Sequence, residues 1–335
     1  MSLLNEHLLT HVWIKRVVAV AALSVALPAW PANADAVKFM VPGATDTELA
    51  GINTSGDSTG FAFNDSAFSY GFIRTASGSF ATFQNPNGSN LNLWGTAIDD
   101  NDDVTGYMNA TINPSGFLRT PDGTITSFNP PNSVQTYPSA INATTGEIVG
   151  WYQTRDGLEH GFVRASNGSI ISFDPPNSIA TEPVGTNSSG ETVGWYTDTN
   201  NATHGFLLAS DGTITTFDAP GGDTVTVPFA INNNGDVVGV GADGNFLRYA
   251  NGTYVNLPAV RPSGINDMDK ISGEYTSSQG ATERLTKRGW KIKYFDAPKK
   301  CTFLDIANIN DAGAVGGTIE CPEKGSYGYF GYIRN

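Results

Sequence analysis

The chain has 335 residues, with 19 basic against 32 acidic side chains and a net charge of −13. That acid excess excludes a nucleic-acid partner, because affinity for a phosphate backbone rests on neutralising it with Lys and Arg. Frequent Gly (38) and Pro (18), with Thr, Ser and Asn between short apolar runs, exclude a helical protein and fit many strands joined by tight turns.

Residues 1–34 read as a signal peptide. Lys15 and Arg16 close a polar leader, and an apolar run follows from Val17 to Leu27. A membrane-spanning helix needs about 20 apolar residues, so this run is too short, although an uncleaved anchor is the alternative. Ala32-Asn33-Ala34 fits the small-x-small cleavage rule and leaves Asp35 as the expected first mature residue. Removing Lys15, Arg16 and Glu6 with the leader leaves 17 basic and 31 acidic side chains, a net of −14. No later stretch is apolar enough to span a membrane, so the mature chain is expected in the periplasm or secreted, as a monomer.

From there to the end one motif recurs seven times. It runs Ile-Asn-x-x-Gly-x-Val-x-Gly-Trp-Tyr, then His-Gly-Phe-Leu-Arg, then Asp-Gly-Thr-Ile-x-x-Phe-Asp-x-Pro. Its anchoring residue falls at Asn53, Asp99, Asn142, Asn187, Asn232, Asn266 and Asn310, in steps of 46, 43, 45, 45, 34 and 44. A period near 40–45 with strand-like content is the mark of propeller blades. The expectation is a single all-β domain over 35–335: a seven-bladed β-propeller with four antiparallel strands per blade, A to D.

The third copy shows the grammar. Strand A is expected around Ser139–Ile141, strand B over Glu147–Gln153, strand C over His160–Ala165 and strand D over Ser169–Phe173. Asn167-Gly168 is the C–D hairpin turn, since both residues tolerate positive φ. Asp174-Pro175-Pro176 ends strand D, because proline cannot continue a ladder. The fifth copy is shortest, its B–C connection reduced to Gly241–Gly244. Two aromatic series should fill the core. One is the Phe of strand C (Phe72, Phe117, Phe162, Phe206 and Phe246, then Leu285 and Tyr332). The other closes strand D (Phe83, Phe128, Phe173, Phe217, Leu257 and Phe295). The last copy ends without a strand D, and residues 36–42 match the strand-D pattern, with Phe39 on Phe217 and Pro42 on Pro220. The N-terminal strand should therefore close the ring against Tyr329–Arg334. Cys301 and Cys321 flank the A–B hairpin of the last copy in near-direct register, which predicts a disulfide in an exported chain.

The run Ala140-Ile141-Asn142…Gly146-Glu147-Ile148-Val149-Gly150-Trp151-Tyr152…His160-Gly161-Phe162-Val163 resembles the bacterial extracellular HAF repeats. The resemblance covers residues 35–335 and implies an exported, propeller-like protein. It carries no catalytic residues to transfer. The sixth copy departs most, with Thr282-Glu283-Arg284-Leu285 in place of His-Gly-Phe-Leu and Trp290 in place of the turn glycine.

Little in the chain announces chemistry. The mature sequence has two histidines, His160 and His204, at one repeat position, where a repeat-bound hydrogen bond outweighs a metal or base role. HExxH motifs and Cys/His clusters are absent. Asp99, Asn101 and Asp103 offer alternate oxygen ligands that suit calcium, the one cofactor considered. Yet Val104 stands where an EF-hand loop needs Gly, no glutamate follows at the twelfth position, and the run aligns with the ordinary turn Asn232–Asp236. No metal or cofactor is therefore expected. Trp151-Tyr152 and Trp195-Tyr196 are the ligand candidates. Tyr107, Tyr275 and Phe61 fall in or next to the same register, so most of these rings are expected between blades, with alternation along the strand leaving one of each pair able to face a ligand. Arg284, Lys287, Arg288, Lys291, Lys293, Lys299 and Lys300 crowd the sixth copy, either as a docking patch or as protection of an outer strand. The functional expectation is an exported scaffold that binds carbohydrate or an envelope or extracellular protein, on the end where the D–A and B–C loops gather. A propeller hydrolase or lyase and a passive structural or adhesive protein are the alternatives.

Overall fold

A computed structural model describes residues 37–335 except 66–67, 89–90, 110–112, 223–224, 259, 277–278, 287–288, 299, 323–324 and 333–335. The expected signal peptide lies outside the described residues, as do Lys287, Arg288 and Lys299 of the basic cluster. Among the described residues every regular element is a strand, 28 in all, and no helix is long and apolar enough to cross a membrane.

The strands form antiparallel meanders of four, one after each copy of the motif. Five stand as separate four-stranded sheets. Those of the third and fourth copies join into one eight-stranded sheet through a single parallel contact, Glu159 opposite Ala180. The third meander is Gln135–Ile141, Ile148–Gln153, Glu159–Arg164 and Ile170–Phe173. Strand A is longer than the motif indicates, because its early residues alternate buried and part-exposed without an apolar run to mark them. The A strands are Asp46–Ile52, Leu93–Ile98, Gln135–Ile141, Ser178–Thr186, Thr226–Ile231, Arg261–Ile265 and Thr302–Ile309. Each packs against the next, and the last packs against the first.

Val37–Phe39 pairs antiparallel with Ser326–Tyr332, placing Val37 opposite Phe330 and Phe39 opposite Gly328. The chain's first described strand therefore completes its last meander, as the strand-D pattern predicts. Cys301 and Cys321 form a disulfide beside the pair Thr302–Glu320.

Glycine on strand B sets the packing. In the second copy a β-carbon on Gly106 would collide with the Trp94 carbonyl, so only Gly lets strand A cross there. Opposite these glycines stand Phe72, Phe117, Phe162, Phe206 and Phe246, all fully or almost fully buried. The register corrects the last two members of that series. Ala281, not Leu285, lies opposite Gly273, and Tyr329, not Tyr332, lies opposite Gly317. The sixth C–D hairpin is built of two eight-residue strands, Gln279–Thr286 and Gly289–Asp296, longer than those of the other copies, so matching by sequence pattern slid the alignment by four residues. Tyr329 is buried and packs edge-on against Phe303.

Two interlocks link successive copies, and the motif gave no warning of either. The strand-C arginine lies over the strand-D ring of the preceding meander. Arg119 sits 5.1 Å from Phe83, Arg164 4.9 Å from Phe128 and Arg74 4.9 Å from Phe39. The second is a belt of amides. Asn53 Nδ2 donates to the Asp99 backbone oxygen (3.1 Å), Asn142 to Asn187 (2.6 Å) and Asn187 to Asn232 (3.2 Å). Asn232 donates to Asn266 (3.1 Å), Asn266 to Asn310 (3.1 Å) and Asn310 back to Asn53 (3.0 Å).

Candidate functional site

One step beyond each strand-B glycine, away from the amide belt, strand A and strand B face each other as a cross-strand pair. In chain order these pairs are Glu48–Phe61, Trp94–Tyr107, Tyr137–Trp151, Glu182–Trp195, Val227–Val240, Arg261–Glu274 and Asp305–Thr318. The layer is asymmetric: aromatic rings gather in the first four copies, while the last three carry valines and charged or polar groups.

The aromatic side is a continuous arc. Phe61 meets Phe63 at 5.8 Å and Trp94 at 6.1 Å. Trp94 stacks on Tyr107 at 5.3 Å, Tyr107 meets Tyr137 edge-on at 5.1 Å, and Tyr137 stacks on Trp151 at 4.3 Å. Phe61 and Tyr107 thus each reach the strand-A ring of the next copy. Phe61, Phe63, Trp94, Tyr107 and Tyr137 are all part-exposed, and Tyr137 donates its hydroxyl proton to Gln135 Oε1 at 3.0 Å. Burial, with the Glu159 carboxylate nearby, pushes the Tyr137 hydroxyl up to about 12, so the ring stays neutral across the physiological range. On the charged side, Arg261 is exposed and its guanidinium lies 5.6 Å over Phe229. Burial raises the Glu274 carboxyl, and Arg261 acts against that rise.

Of the four rings the sequence offers as ligand candidates, Trp151 and Trp195 lie in this layer and Tyr152 and Tyr196 one position beyond it. Trp151, Tyr152, Trp195 and Tyr196 are all buried, at 5, 6, 3 and 8% exposure. Alternation does turn the two rings of a pair to opposite faces, but a neighbouring sheet covers both faces. Tyr152 packs with Ala97, Ile141 and Phe162, and Trp195 with Phe217, Phe229 and Phe246. The part-exposed rings are those of the first two copies and Tyr137 on strand A, whose exposure depends on what neighbours cover them.

His160 and His204 are held alike. His160 Nδ1 lies 2.7 Å from Asp174 Oδ2 with Tyr152 beside its ring, and His204 Nδ1 lies 2.7 Å from Asp218 Oδ1 with Tyr196 stacked on it at 5.0 Å. Each dyad ties the start of strand C to the residue that ends strand D. Asp99 Oδ1 accepts from the backbone N–H groups of Asn101 and Asp103, both at 2.9 Å, so that carboxylate shapes its own turn. Among the described residues no three His, Cys, Asp or Glu side chains are placed to hold a metal ion. Of the basic cluster, Lys291 and Lys300 are exposed and Lys293 part-exposed, with Lys291 and Lys293 on the outer strand Gly289–Asp296.

No protein-family model matches the chain, and no curated protein matches it. Solved structures do. A catalytically inactive virginiamycin B lyase from Staphylococcus aureus, with quinupristin, is 17% identical at a TM-score of 0.60, over 89% of this chain and 99% of that one. A puromycin hydrolase variant is 11% identical at 0.57, over 89% of this chain and 55% of that one. The Dos1 propeller is 11% identical at 0.52, over 84% and 77%. At such identities the likeness speaks for the fold alone, and the fold is that of the β-propellers.

Proposed function

We propose that the chain is an exported, seven-bladed propeller of the HAF-repeat kind, a single domain over 35–335, which binds a carbohydrate through the aromatic arc. The seven motif copies, the contact of the last A strand with the first and the Asn310–Asn53 hydrogen bond support seven blades. The disulfide supports an oxidising compartment. The arc carries the functional reading: Phe61, Phe63, Trp94, Tyr107 and Tyr137 present part-exposed rings at the end where the B–C and D–A loops gather. Pyranose rings stack on such faces because both surfaces are flat and apolar, with polar groups at the rim. Glu48, opposite Phe61, and Gln135, which accepts from Tyr137, are part-exposed and supply hydrogen-bonding groups beside them.

The test is a glycan array probed with the mature chain and with the Trp94→Ala and Tyr107→Ala variants, together with pull-down from envelope extract. Binding lost in both variants with the circular-dichroism spectrum unchanged supports the reading. A ligand mapped to the Asn-Gly and Asp-Gly turn end overturns it. Capture of a protein, with a blank array, favours the protein-binding alternative. An enzyme reading would rest on the two His–Asp dyads, and turnover abolished by His160→Gln and His204→Gln would favour it.

A further inference from the structure

The amide belt has seven anchor positions and six asparagines. The exception is Asp99, and its geometry shows what the acid replaces. In the other copies the anchor's Oδ1 accepts from its own turn; Asn232 Oδ1, for example, takes the N–H groups of Asn234 and Asp236 at 3.1 and 2.8 Å. Asp99 Oδ1 does the same with Asn101 and Asp103. Its second oxygen, Oδ2, therefore stands where every other anchor carries the amide nitrogen that donates to the next backbone oxygen. That next oxygen belongs to Asn142 and already accepts from Gly146 at 3.0 Å. Asp99 is completely buried, and its Oδ2 has no hydrogen-bond partner among the described residues. A carboxylate here would point one buried acceptor at another, which costs the desolvation of both groups.

We infer that Asp99 keeps its proton in the folded protein and donates it to the backbone oxygen of Asn142, so that an acid completes the belt that amides build elsewhere and makes the seam between the second and third copies sensitive to pH. The groups around it favour this state. On its own turn stand Asp100, Asp102 and Asp103; Asp103 adds like charge to Asp99, and burial, the largest cause, raises the Asp99 carboxyl to about 7. From the first copy, Asp57 faces Asp102. From strand C and the hairpin beyond it, Arg119 and Asp122 act on Asp103. From the third copy's turn, Glu147 is hydrogen-bonded by Thr145 Oγ1. Arg119 is the one cation in this group, and it acts on Asp102 and Asp103.

The sign follows from proton counting. The folded chain holds a proton that the unfolded chain releases near the ordinary carboxyl value. Stability is therefore full in acid, falls as pH rises from about 4 to about 7, and is flat above that. Asp99→Asn installs a donor that cannot ionise. The experiment measures urea unfolding of the mature protein and of Asp99→Asn from about pH 4 to about pH 8, with and without calcium, and records carboxyl infrared spectra of both. The wild type should lose, relative to the variant, on the order of 10²–10³-fold in its folding equilibrium constant across that window. A protonated-carboxyl band should be present at neutral pH in the wild type and weaker in the variant. Parallel pH profiles for the two proteins, a variant less stable than the wild type at alkaline pH, or a calcium stabilisation that the variant abolishes would each overturn the inference.

Discussion

Removing the Phe39 ring tests how much the joined ends of the chain contribute. Phe39 is buried, 8% exposed, in a cluster with Val41, Leu49, Phe72 and Phe330. Its ring meets Phe72 at 6.1 Å and Phe80 at 5.8 Å, and the Arg74 guanidinium lies over it at 4.9 Å. It also fills the space over Gly328, where no β-carbon would fit. Phe39→Ala opens a cavity bounded by four strands of two meanders, and such truncations cost about 3–5 kcal/mol. The lost Arg74 contact adds about 1 kcal/mol. For a domain this large, each kcal/mol lowers Tm by about 2–4 °C, so the variant should melt on the order of 10 °C below its parent. Deleting 35–42 should cost at least as much and promote aggregation, because it also removes buried Val41 and bares the edge of Ser326–Tyr332. Deleting 1–34 alone should change little. Differential scanning calorimetry of the four proteins decides. If Phe39→Ala or the 35–42 deletion melts with the mature chain, the terminal strand contributes nothing and the closure argument fails.

Further outcomes are expected elsewhere. Cys301→Ser with Cys321→Ser should cost about 3 kcal/mol for opening a closed loop of 20-residue separation, read by urea unfolding without reductant; equal midpoints would contradict it. Gly106→Ala should destabilise by more than about 2 kcal/mol, because the clash is with the Trp94 backbone; Gly123→Ala, at a surface turn with φ +90°, should cost about 1 kcal/mol. Asp102 is raised to about 6, first by burial and then by Asp57, so its protonated form stabilises the fold and that contribution falls as pH rises from about 4 to about 6. Asp102→Asn keeps the positive φ of 64° that asparagine tolerates, and should flatten the pH profile in that window; an unchanged profile would place the effect elsewhere.

The repeat grammar was legible in the sequence because each of its signals is local. A turn glycine, a hairpin Asn-Gly and a Pro stop act within a few residues, and copies in phase reinforce one another. The match of 36–42 to strand D and the pairing of Cys301 with Cys321 were legible for the same reason: both follow from register within one meander. What the sequence could not decide was anything set between meanders. Alternation along strand B is plain at Trp151-Tyr152, but whether a ring meets water depends on the neighbouring sheet, and there both faces are covered. The part-exposed arc runs instead through Phe61, Trp94, Tyr107 and Tyr137, residues from three copies that only the packing of A strands brings together. The sixth copy slid by four residues because its long hairpin moved the turn while the ladder held Ala281 opposite Gly273. In the sequence Asp99 reads as the anchor of an ordinary turn or as one of three oxygen ligands for calcium. Only the belt of amides, joining positions some 45 residues apart, shows that it sits where a hydrogen-bond donor is required.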